Sequence, residues 1–139
     1  MKQIQFSLSK KELNELNQTY PESGQSNNIG KMAIDIVTRY FKKADPNIKF
    51  ELGKNGADIT VISKSKKETN YEVKGTEDPN IAFKKLKISS KQCHDALVKG
   101  MEIIRVTNIR QRKMNLYFLK HNVDFILDEE PRWKVIEKK

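Results

Sequence analysis

The sequence predicts an α/β (α+β) domain in which a central mixed β-sheet is flanked by helices. Three observations predict it. Apolar residues recur at helical spacing from Ile29 to Phe41, and again from Cys93 to Leu97. Two runs rich in β-branched residues, Ile59-Thr60-Val61-Ile62 and Tyr71-Glu72-Val73, flank the polar segment Lys64-Ser65-Lys66-Lys67-Glu68 and read as a β-hairpin. A helix and then Glu102-Ile103-Ile104-Arg105-Val106 follow that hairpin, so a right-handed crossover should give the sheet a parallel pair.

In chain order, residues 1 to 8 read as a short extended piece with Ile4 and Phe6 alternating with polar neighbours. Ser9-Lys10-Lys11-Glu12 is a capping box, and Leu8 and Leu13 stand at the two positions of a hydrophobic staple. A helix is expected to about Tyr20, with Leu13 and Leu16 inward and Pro21 beyond its end. The polar stretch from Glu22 to Asn28 is a loop. The next helix carries Ile29, Met32, Ala33, Ile36, Val37, Tyr40 and Phe41 on one face and ends near Lys43, ahead of Pro46. Ile48 to Leu52 alternates as a strand and feeds the turn Gly53-Lys54-Asn55-Gly56, with Glu51 towards solvent.

Thr76 to Lys87 is a polar connection. Ser89 or Ser90 caps a helix with Cys93, Ala96 and Leu97 inward, and Gly100 stands where a left-handed cap is expected. Met101 to Ile109 is a strongly apolar strand, and Met114 to Leu119 should return antiparallel to it. Val123 to Leu127 reads equally as a strand or a helical turn. Trp133, Val135 and Ile136 are expected to dock a short tail on the core, with base stacking by an exposed Trp133 as the alternative.

A chain of 139 residues suits one domain, with a core over about residues 28–120 and an N-terminal helix over about 9–20. Its net charge of +9, from 27 basic and 18 acidic residues, favours a polyanionic partner. Charge alone does not choose between DNA, RNA and anionic lipid. No lipidation motif or basic amphipathic helix stands out, so nucleic acid is the expected partner and no membrane is. No apolar run approaches membrane-spanning length, and no secretory segment is evident. With Cys93 as the single cysteine, a cytoplasmic location is expected. His94 and His121 have no metal-ligand spacing, and Cys93 reads as a small core residue.

The hairpin carries the chemistry. With its turn centred near Lys66, Asp58 would lie opposite Lys74 and Thr60 opposite Glu72. Ile59, Val61, Tyr71 and Val73 then share a core face, and Asp58, Thr60, Glu72 and Lys74 share the other. Diagonal neighbours roughly 7–8 Å apart can bring both carboxylates to one cation. Oxygen-only ligation suits Mg²⁺, with Mn²⁺ as substitute. Lys74, two residues on, can hold an attacking water or offset charge on a phosphorane. The alternative is an exposed ion-pair ladder, worth under about 1 kcal/mol per pair.

Asp58, thirteen residues, then Glu72-Val73-Lys74, with Gly56 before and Gly75 after, resembles the signature of the PD-(D/E)XK nuclease superfamily. The likeness continues through Phe83-Lys84-Lys85-Leu86-Lys87-Ile88-Ser89, a helix, and Glu102 to Val106. That stretch is similar to the nuclease-like domain at the C-terminus of the plant NO VEIN protein and its bacterial relatives. It spans about residues 28 to 110.

The resemblance implies a restriction-endonuclease-like core and a metal-dependent endonuclease hydrolysing phosphodiester bonds, with double-stranded DNA as the expected substrate. It implies Asp58, Glu72 and the Val73 carbonyl as metal ligands and Asp58, Glu72 and Lys74 as catalytic residues. It also implies that Lys91 and Gln92, at the start of the third helix, face the catalytic side. A helix glutamate often completes such sites; Gly30 to Asp35 contains none, and Asp35 is the neighbouring acid. Lys84, Lys85 and Lys87 form one candidate phosphate patch and Arg105, Arg110, Arg112 and Lys113 a second, each with a solvated face as the alternative. Competing readings are a degenerate nucleic-acid-binding subunit and a structure-selective resolvase of Holliday-junction type. A homodimer or a larger defence or repair complex is compatible with any of them.

Overall fold

A computed structural model describes residues 1–22, 27–129 and 137–138. Its strands are β1 (Lys2–Ser7), β2 (Lys49–Leu52), β3 (Ile59–Ile62), β4 (Glu68–Gly75), β5 (Glu102–Thr107) and β6 (Lys113–Leu119). Its helices are α1 (Lys10–Thr19), α2 (Asn27–Ala44) and α3 (Lys91–Val98). The strands form one sheet in the order β1-β6-β5-β4-β3-β2. Only the β4–β5 pair among them is parallel, as a strand–helix–strand connection requires. The α+β class and the mixed sheet are therefore as expected.

Local chemistry accounts for the helices. Ser9 Oγ accepts the Glu12 N–H at 3.1 Å and Glu12 Oε1 accepts the Ser9 N–H at 3.2 Å, so the capping box is closed in both directions. Leu16 faces inward and Leu8 is buried with it. Met32, Ala33, Ile36 and Val37 give α2 its buried stripe. These residues pack with Ile59, Val61, Val73, Ile104, Val106 and Leu116 on one face of the sheet. Each fully buried aliphatic side chain there is worth about 1.5–3 kcal/mol. The opposite face is covered by α3, whose Cys93 and Leu97 pack on Ala57, Ile103 and Leu119. Strands β4 and β5 thus lie between two helical layers.

Contact between α2 and β4 is close at Gly75. A Cβ there would meet Ala33 Cβ at 2.8 Å, the Ile29 carbonyl oxygen at 3.2 Å, and Ile109 Cδ1. Glycine is needed at this position for space rather than for backbone angle.

The hairpin differs in register from the expectation. Thr60 pairs with Asn70, not Glu72, and the last pair is Ile59–Tyr71. Ser63 N–H bonds to the Lys67 carbonyl at 3.0 Å, and Lys66 takes a left-handed φ of 66°. Three residues therefore turn the chain, a common loop that ends in a left-handed position. Relative to expectation the strands slide by two residues, which keeps every side chain on its face. The slide places Asp58 and Glu72, rather than Asp58 and Lys74, one step beyond the final pair.

After β6, the Lys120 carbonyl accepts the N–H groups of Val123 and Asp124, and an isolated bridge joins His121 to Phe125. Of the two readings open for Val123 to Leu127, the structure has a single hydrogen-bonded turn reaching Asp124 and no regular strand. Trp133, Val135 and Ile136 lie outside the described residues. Among the described residues no helix is long and apolar enough to cross a membrane.

Candidate active site

Asp58 is placed by the turn that precedes β3. Gly56 has φ +76°, and a Cβ on it would meet Gln92 Cγ at 2.7 Å, so the turn passes directly under the first turn of α3. Asp58 donates its N–H to the Tyr71 carbonyl at 3.0 Å. Its Oδ2 accepts the Val73 N–H at 2.8 Å. The aspartate side chain thus takes over where the ladder stops, satisfying a β4 amide that has no β3 carbonyl opposite it.

Glu72 points to the α3 side of the sheet and is 7% exposed. The neighbouring Asp58 carboxyl raises the affinity of Glu72 for a proton. Cys93 donates its thiol hydrogen to Glu72 Oε2, with sulfur and oxygen 3.0 Å apart. Lys74 Nζ lies 3.9 Å from the same oxygen. The three expected side chains meet on one face.

Burial, first, and then the Asp58 carboxyl push Glu72 up to about 7, against the opposing pull of Cys93 and Lys74. Burial and the neighbouring Glu72 carboxylate likewise push the Cys93 thiol up to about 12. Cys93 is therefore a protonated donor at neutral pH, not a nucleophile. The Asp58 and Glu72 carboxyls offer only oxygen ligands, so a hard divalent ion is the kind they would suit. Among the described residues no group of three or more His, Cys, Asp or Glu side chains is arranged to hold a metal ion. Main-chain oxygen, for which Val73 is the candidate, and water would complete the coordination.

The other expected residues are scattered around this pair. Gln92 lies over Gly56 with its remainder exposed, and Lys91 stands exposed at the start of α3. Lys84 and Lys85 are exposed in a short 3-10 turn, Phe83–Lys85, where Lys85 Nζ is 3.6 Å from Asp78. Lys87 is also exposed. Arg112 is exposed in the β5–β6 turn and donates to the Leu8 carbonyl at 3.3 Å.

Arg110 differs from its expected surface role. Its side chain is 7% exposed and lies 3.2 Å from Glu77. Its Nη1 donates to Asn17 Oδ1 at 3.1 Å and to the Tyr20 carbonyl at 2.8 Å, tying the end of α1 to the β5–β6 turn. Arg105 also leaves the surface patch. It is 2% exposed beside Lys74 in the parallel register and donates to the carbonyls of Ile81 at 2.7 Å and Gly75 at 3.3 Å. Its position between Ile104 and Val106, in a strand buried on both faces, is the signal that it points inward.

Asp35 bonds to Tyr20 Oη at 3.0 Å and to Arg39 Nε at 2.9 Å, and Glu51 pairs with Lys54 at 3.3 Å. Both acids thus have partners other than Asp58 and Glu72. His94 pairs with Asp95 at 3.0 Å, and the His121 ring packs on Phe125. Compared with protein-family models, curated proteins and solved structures, the chain finds no match.

Proposed function

We propose that this chain is a metal-dependent endonuclease of the PD-(D/E)XK kind, hydrolysing phosphodiester bonds in DNA. The observation that carries this is Glu72, buried with Lys74 Nζ 3.9 Å from its Oε2, opposite Asp58 just beyond the end of the β3–β4 ladder. It is supported by the element order α2-β2-β3-β4-α3-β5, with β4 and β5 parallel, which contains the strand–turn–strand–helix–strand order of the resemblance. Asp58 and Glu72 would hold the cation, helped by the Val73 carbonyl. Mg²⁺ or Mn²⁺ bound there would supply Lewis-acid polarisation of a phosphoryl oxygen. Lys74, a donor-only cation, orients an attacking water and offsets charge on the phosphorane. Cys93 and Lys74 keep Glu72 oriented while the substrate binds.

Asp58→Ala and Lys74→Ala should each reduce Mg²⁺-dependent cleavage of plasmid DNA by at least about a hundredfold. Undiminished cleavage in both variants would reject the assignment.

A second reading, a nucleic-acid-binding subunit that does not cut, is favoured by one observation. Helix α2 offers the site no acid, since Asp35 is held by Tyr20 and Arg39. Titration calorimetry with Mn²⁺ separates the two. Binding that vanishes in Glu72→Ala supports the enzyme, and no binding by the parent supports the subunit.

A further inference from the structure

Cys93 belongs to the apolar layer under α3, yet its thiol is directed at a carboxylate. Ser90 Oγ accepts the Cys93 N–H at 3.1 Å, which fixes the first turn of α3 against the sheet. The side chain is 3% exposed and packs with Ala57, Leu97, Ile103 and Leu119. Out of that apolar cluster the sulfur reaches Glu72 Oε2, at 3.0 Å. The thiol is the donor and the carboxyl oxygen the acceptor.

Lys74 Nζ approaches the same oxygen at 3.9 Å, and neither contact falls on Oε1. The two donors are unequal as holders. Lys74 ends a long flexible stem and its side chain is 32% exposed. Cys93 is short, buried and fixed by a capped helix. The terminal torsion of a glutamate is broad and poorly restrained by sterics, so its carboxylate needs a rigid partner to keep one orientation. A ligand carboxylate is commonly held by an outer partner of this sort, whose removal weakens metal binding about 10–100-fold.

We propose that Cys93 is a positioning residue for Glu72: its S–H holds Oε2, so that the carboxylate keeps one orientation beside Asp58. The inference deepens the metal-dependent reading of this site and rests on it.

The test compares the parent with Cys93→Ala and Cys93→Ser, each first checked for a cooperative thermal transition. Mn²⁺ affinity is measured by calorimetry and DNA cleavage by initial rates. Cys93→Ala should bind Mn²⁺ about tenfold more weakly and fall in kcat with KM for DNA unchanged. Cys93→Ser, which keeps a donor at the same place, should recover most of both effects. An alanine variant that folds and binds Mn²⁺ like the parent overturns the proposal, as does a serine variant no better than alanine.

Infrared spectroscopy of the S–H stretch in metal-free protein keeps this test apart from that of the metal site. A band lowered in frequency in the parent and relaxed in Glu72→Ala, which removes the acceptor, supports the contact; a band unmoved by that substitution overturns it. If the parent binds no Mn²⁺, the metal-dependent reading falls, and the infrared result alone decides whether Cys93 holds Glu72.

Discussion

Burial, and then the neighbouring Asp58 carboxyl, lift Glu72 to about 7 from an ordinary 4.5. Because the folded value is the higher one, the contribution to stability is fully present below the unfolded value. It is lost as pH rises through about 7. At about 1.4 kcal/mol per unit the loss is about 3.5 kcal/mol, and it belongs to the coupled pair rather than to one residue. Metal-free protein should therefore become easier to unfold in urea between about pH 5 and pH 8. Glu72→Gln, which cannot ionise, should remove that slope and exceed the parent at the upper end of this range by about 1–3 kcal/mol. Adding Mg²⁺ there should raise the melting temperature of the parent and leave that of the variant. A parent whose urea midpoint is flat across this range would contradict the argument. Residue spacing was enough to nominate Asp58, Glu72 and Lys74, because alternation along two strands fixes the face. The Cys93 contact was not legible, because a buried cysteine looks the same in sequence whether or not an acceptor sits across from it.

Among the elements, the helices were legible almost to the residue where local chemistry defines their ends: Ser9 and Glu12 start α1, and Ser90 starts α3. The hairpin register was not, because it depends on Lys66 adopting φ 66°, a conformation that glycine or asparagine announces and lysine does not. Burial of Arg110 was hidden for a related reason, since a basic residue in a turn reads as surface until its carbonyl partner is located; the neighbours of Arg105 in β5 did signal its burial. The α2–β4 contact at Gly75 gives a test at this scale. Gly75→Ala places a methyl against Ala33, Ile109 and the Ile29 carbonyl, so α2 must move off the sheet. Overpacking of this kind costs about 1–3 kcal/mol. The backbone after Lys74 moves with it, so cleavage should fall along with the urea midpoint. Unchanged stability in Gly75→Ala would show that the two layers can separate freely at this point.

For the whole molecule the governing quantity is its net charge of +9, which acts on a polyanion at long range and without regard to sequence. The exposed residues Lys84, Lys85 and Lys91 lie on the chain between β4 and the first turn of α3, and α3 covers the Glu72 face. Lysines placed this way release counterions when they meet phosphates, so the affinity for DNA should fall steeply and log-linearly with salt. Replacing all three by alanine should make that slope shallower by up to about 0.9 for each phosphate no longer neutralised. The weakening should be equal for unrelated DNA sequences, because phosphate contacts position a protein without reading bases. Arg110→Ala is the informative contrast. It removes one positive charge too, but its guanidinium is committed to Asn17, Tyr20 and Glu77 inside the fold. That variant should therefore lower the melting temperature by loosening α1 while leaving the salt slope as it was. A slope that drops in Arg110→Ala and stays put in the triple lysine variant would move the nucleic-acid face to the β5–β6 turn, on the far side of β5 from β4.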